Sequence, residues 1–145
     1  MQLSPNFSLE EMIQSQTALR LGIDNTPSDL VVTHLQTTCA AALEPVRTLL
    51  GVPLHVDSGY RSLALNKAVG GSPLSAHCVG YAADIIPIGL DLRAAFDQIR
   101  NSAIVYDQLI LECNAWIHIG LSEDAPRRQN LLAQGTPGHW TYTEA

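Results

Sequence analysis

The chain has 145 residues, 46% of them hydrophobic and 15% charged, which suits a single domain over residues 1–145 burying roughly 68–70% of its unfolded surface without metal or disulfide staples. A formal charge of −6, with Arg127 and Arg128 as the only adjacent basic pair, excludes the basic footprint that nucleic-acid phosphates require. No long apolar run marks a membrane span, no basic-then-apolar start marks a signal peptide, and three cysteines without CxxC spacing exclude a disulfide framework and a thiolate zinc knuckle.

In chain order, "SLEEMIQS" opens with a capping box, Ser8 followed by Glu11, and predicts a short helix over 8–15. The stretch from Asn25 to Gly51 predicts a long helix with Thr26 as N-cap, Pro27 at the first helical position and Gly51 just past its end. Leu35, Ala42, Val46 and Leu49 form its apolar stripe, and Pro45 predicts a kink. "PLHVDS" alternates Leu54, Val56 and Ser58 against His55 and Asp57, as a half-buried strand does. "SLALNKAV" reads as a short helix closed by Gly70 and Gly71, Ser72–Tyr81 as a loop, and "AADII" as a strand stopped by Pro87. "DLRAAFDQIRNS" is a helix capped by Asp91. "VYDQLILE" and "WIHIGL" read as two strands joined by a tight turn at Cys113–Ala115, and "NLLAQ" as one further strand. Helices first, then strands mixed with short helices, predict an α+β domain with a mainly antiparallel sheet.

Strand alternation separates core from chemistry in the hairpin. Leu109, Leu111, Ile117, Ile119 and Leu121 share one parity, and Gln108, Glu112, Trp116 and His118 share the other. An odd turn of Cys113, Asn114 and Ala115 then sets Glu112 and His118 on the same face. Catalytic zinc takes three protein ligands from imidazole and carboxylate and keeps a fourth position open. His77, Asp84 and His118 offer that set, with Gly80 relieving backbone crowding between the first two. Glu112 is then the candidate carboxylate for proton transfer.

The motif "SAHCVGYAAD", Ser75 to Asp84, fits S-x-H-x-x-G-x-A-x-D. With "SGYRS" upstream and "YDQLILE" and "WIHIG" downstream, the whole chain resembles the zinc D-alanyl-D-alanine carboxypeptidase family, in particular its short phage and prophage members. That family shares a fold with the vancomycin-resistance dipeptidases, the L-alanyl-D-glutamate endolysins and Hedgehog signalling domains. The resemblance implies one zinc ion per chain on His77, Asp84 and His118, and an Arg61 that steadies the substrate carbonyl. It also implies a Ser75 bonding near the substrate or the ligands, and a substrate drawn from peptidoglycan stem peptides. Many relatives carry the catalytic acid three residues before the last histidine, where this chain has Ala115. Glu112 is therefore the first candidate for the base and Asp107, of opposite parity, the second.

Gln108, Trp116 and Tyr81 are expected to contact substrate, with Tyr60 also bordering the pocket. His34, His55 and His139 are expected to be structural or surface residues, and the cysteines packing residues. The expected activity is peptidoglycan peptide hydrolysis. The rival readings are a zinc-containing wall-binding module without hydrolysis and a cytoplasmic D-Ala-D-Ala dipeptidase. Nothing demands more than a monomer. The product is expected to be made in the cytoplasm and to reach the wall after release or as a virion component.

Overall fold

Ser8 closes its capping box as its spacing predicts: its hydroxyl accepts from Glu11 N, and Glu11 returns a carboxylate to Ser8 N. In the computed structural model, which describes residues 1–136 and 138–145, the strands β1 (Gln2–Ser4) and β2 (Phe7–Ser8) form a small ribbon ahead of α1 (Leu9–Ile13). The predicted helix over 8–15 is thus shorter, because Gln14 is extended and Ser15 caps a second helix, α2 (Gln16–Leu21), through Ala18 N. The long helix also starts later than predicted. Ser28, not Thr26, is the N-cap of α3 (Asp29–Thr38): its hydroxyl accepts from Val31 N.

Just ahead of Pro45, where a kink was expected, the long helix widens. A π-helical turn, Cys39–Leu43, separates α3 from α4 (Glu44–Leu50), with Glu44 N donating to Cys39 O. Proline brings no N–H and crowds the carbonyl four residues back, and such a turn accommodates both. Ala42 and Val46 are buried as the predicted stripe requires, but Leu50 is buried at 8% exposure while Leu49, predicted to face inward, is 40% exposed.

The remaining elements are β3 (Leu54–Ser58), α5 (Leu63–Ala68), a 3-10 turn (Ala76–Val79), β4 (Ala82–Pro87), α6 (Leu92–Arg100), β5 (Gln108–Glu112), β6 (Trp116–Gly120), β7 (Gln129–Thr136) and β8 (His139–Glu144). Gly51 and Asp91 cap α4 and α6 as predicted. The 3-10 turn interrupts what reads in sequence as plain loop. The last two dozen residues hold two strands where one was expected, and β7 runs parallel to β5 while every other pairing of the sheet is antiparallel.

The main sheet has the order β3-β4-β6-β5-β7-β8. Val56, Ala83, Ile85, Leu109, Leu111, Ile117 and Ile119 project from its helix side into one core with Leu35, Cys39, Leu43 and Val46 of the long helix and Phe96 and Ile99 of α6. The chain is an α+β domain with α1, α3, α4 and α6 packed on the main core and a cleft, lined in part by α5, on the other side of the sheet.

Candidate metal centre

Three backbone contacts hold His77 before any ligand is considered. Ser75 Oγ accepts from His77 N at 3.2 Å, Arg61 N donates to His77 O at 3.1 Å, and His77 Nδ1 donates to Gly59 O at 2.6 Å. Gly59 can present that carbonyl only because it lacks a side chain: a Cβ there would stand 2.3 Å from Met12 O, which also accepts from Tyr60 N at 2.7 Å. Gly80 ends the turn in left-handed conformation, φ +84°, with its would-be Cβ 3.0 Å from Val31 O, so the expected relief at this glycine is real.

Strand pairing supplies the other two groups. Asp84 of β4 lies directly opposite His118 of β6, and Glu112 opposite Trp116 at the start of β6. The three-residue turn adopts left-handed backbone at Cys113 and Asn114, and Glu112 and His118 share one face as the odd turn predicts.

His77, Asp84 and His118 are all buried. His77 Nε2 is 3.2 Å from Asp84 Oδ1 and 3.2 Å from His118 Nδ1, and His118 Nδ1 is 3.0 Å from Asp84 Oδ1. Because the Nδ1 proton of His77 is committed to Gly59, its Nε2 lone pair faces a carboxylate oxygen. A cation between two such acceptors would satisfy both. Donor atoms of a tetrahedral zinc site with bonds of about 2.0–2.1 Å stand roughly 3.3 Å apart, so the triangle has the right size.

Burial pushes the pKa of His77 down, keeping it neutral. Burial alone would raise Asp84, but the charge and hydrogen bonds of the two histidines outweigh it and hold the carboxyl far below its usual range. For His118 burial opposes the charged form, yet the bond to Asp84 lifts its pKa above the ordinary value. A proton on His118 therefore competes with any metal for this cluster more strongly than a proton on His77 does.

Glu112 is half-buried, and Trp116 Nε1 donates to its Oε2 at 2.9 Å. Burial and the nearby Asp84 raise the Glu112 pKa. Arg61 lines the same cleft with its Nε buried and unpaired among the described residues, and its charge is felt at both histidines and at Glu112. Ser75 spends its hydroxyl on the His77 backbone, and Gln108 Nε2 donates to Gln129 at 2.9 Å on the cleft wall. Tyr81 stacks on His34 at 4.2 Å and donates to Glu123, while His34 Nδ1 donates to Val79 O at 2.7 Å. Asp107 is bound by Arg127 through its backbone N at 2.9 Å and its guanidinium at 2.8 Å. Ala115 lies in the exposed turn, so no acid occupies the position common in relatives.

The cleft around the centre measures about 1860 Å³ and reaches Trp140, Tyr142 and Glu144 of β8, none of which was picked out from the sequence. The clue is in "HWTYTE", whose alternation puts those three residues on one face of a strand. No helix among the described residues is long and apolar enough to cross a membrane. Residues 5–120 match the family described as Peptidase M15. No curated protein matches the chain.

Proposed function

The chain belongs to the peptidase M15 family of zinc peptidases, and from that premise we propose that it hydrolyses peptide bonds in the stem peptides of bacterial peptidoglycan, as a D,D-carboxypeptidase or endopeptidase. The observation that carries this reading is the half-buried Glu112 beside the buried His77–Asp84–His118 cluster, on the floor of an open cleft. When bound to those three residues, one zinc ion supplies a Lewis acid and an acidified water.

The chain's own groups do the rest. Glu112, fixed through Oε2 by Trp116, uses its other oxygen to take a proton and pass it to the leaving amine. Its raised pKa suits that exchange, since a carboxylate of ordinary acidity returns a proton poorly. Arg61 turns its guanidinium to the negative charge developing on the scissile carbonyl oxygen. His77 is kept in register by Gly59 O.

A cleft of about 1860 Å³ exceeds the roughly 300–1,000 Å³ of small-molecule pockets, which favours a wall peptide over a free dipeptide. The place of action in this reading is the wall, reached after release or carried in a virion. The test is turnover of purified muropeptides by the zinc-loaded protein, lost on chelation and restored by zinc. Binding to wall without release of any soluble fragment would overturn hydrolysis in favour of a binding module.

A further inference from the structure

The sheet continues past the strands that carry the metal centre. β7 pairs with β5, β8 closes on β7, and both lie beyond residue 120, where the family match stops. Register decides where their side chains go. Glu112 stands opposite Ala133 and Ala133 opposite Tyr142, while Ile110 stands opposite Leu131 and Leu131 opposite Glu144. Directly paired residues project from the same face. Tyr142 therefore continues the row of Glu112 and Trp116, and Glu144 the row of Asp84 and His118.

Trp140 packs on Ile110, Leu131 and Ala133, an apolar cluster separate from the main core and on the cleft side of the sheet. Tyr142 is 49% exposed beside it. Three strand spacings of about 4.8 Å carry this floor roughly 14 Å from His118 to Glu144. That is the reach of about four extended residues.

The charges of the cleft point the same way. Of the two arginines that line it, Arg127 is held by Asp107, and Arg61 at the metal centre has no carboxylate pair among the described residues. Glu123, Asp124 and Glu144 line the cleft as well. Such a rim repels the free carboxylate that a carboxypeptidase must seat.

Resting on the peptidase reading above, we propose that the β7–β8 hairpin is a substrate subsite. It receives the peptide segment running on from the scissile bond across β5 and β7, with Tyr142 and Trp140 as specificity-determining residues. The chain accordingly cuts within a peptide and does not trim a free carboxyl end.

The test is equilibrium binding to zinc-loaded Glu112→Gln protein, so that turnover does not intervene. Two probes are compared by calorimetry: a cross-linked dimer of stem peptides, and a single pentapeptide ending in D-Ala-D-Ala with a free carboxylate. The dimer should bind at least about tenfold more tightly. Tyr142→Ala in the same background should remove most of that advantage while moving the pentapeptide less than about twofold. Tyr142→Phe, which keeps the ring, should restore dimer binding to within about threefold. Equal losses for both probes, or no loss for either, would overturn the subsite while the peptidase reading stands. Failure to bind either probe, with no cleavage of either by the wild type, would overturn both.

Discussion

The helix-side face of β4, β5 and β6 carries Ala83, Ile85, Leu109, Leu111, Ile117 and Ile119, all buried, whereas the cleft-side face of the same strands carries Asp84, Glu112, Trp116 and His118. One backbone thus serves two kinds of requirement. Apolar burial on the first face is non-directional and roughly proportional to area, so side chains of similar volume can replace one another. Against the second face, Asp84 and His118 meet His77 of the 3-10 turn with their three donor atoms 3.0–3.2 Å apart, and a shift of one ångström at any of them would leave the set unable to close on one ion. The two faces are coupled, because a one-residue slip of register would exchange them. The well-packed face is what holds the ligand face in register.

Substitutions at chosen positions can separate the two requirements. The largest effect is expected at a ligand. His118→Ala should abolish turnover, and it should also abolish the thermal shift in which zinc at about 100 times its Kd stabilises the wild type by about 2.7 kcal/mol. A zinc-dependent shift surviving in that variant would detach His118 from the site. Next comes the base: Glu112→Gln should lower kcat by about 100- to 10,000-fold with zinc stoichiometry unchanged. Steady-state kinetics beside metal analysis checks this, and wild-type turnover would remove Glu112 from the role.

On the opposite face, Ile117→Ala should cost about 2–5 kcal/mol in urea unfolding, yet the surviving folded protein should still bind one zinc per chain. Loss of zinc at full folding would mean that the core face also tunes ligand geometry.

A smaller effect comes from pH. The folded-state pKa of His118 is raised through Asp84, so below that value a proton competes for the nitrogen the metal needs. Well below it, apparent zinc affinity should fall about tenfold per pH unit, with about one proton released per ion bound. Competition titrations against a chelator would show it, and a flat profile would contradict the ligand assignment.

The smallest effect is expected at Asp107, whose carboxyl is held below its usual range first by hydrogen bonds from Arg127. A depressed folded pKa contributes stability above the unfolded value of about 3.9 and loses it as pH falls through the folded one. Asp107→Asn should therefore cost about 1 kcal/mol at neutral pH, since Arg127 is largely exposed, and nearly nothing in strong acid, with turnover within about twofold. A collapse of turnover would return Asp107 to candidacy as the base.

Local rules were enough for part of this protein. The capping box at Ser8, the C-cap at Gly51, the cap at Asp91 and the alternation of β3, β5 and β6 can be read from the chain, because each depends on residues within a few positions of one another. The same holds for Glu112 and His118 sharing a face, since strand parity and a three-residue turn leave no other arrangement. The order of strands in the sheet lay outside such rules. Asp84 meets His118 through pairing between segments 34 residues apart, and His77 reaches them only because Gly59 O and Ser75 Oγ fix it from two directions. Local spacing did not rank the candidate caps, of which Ser28 takes Val31 N, and it did not settle that the end of the long helix buries Leu50 in place of Leu49. Asp107 looked available as an acid until Arg127 was folded against it, and Tyr142 gained a place in the row of Glu112, with Ala133 between them, only when β7 ran parallel to β5. Residue type, spacing and parity are properties of the chain and could be read there. Which groups meet, and which are already engaged, depends on long-range register and packing, and only the folded molecule decides that.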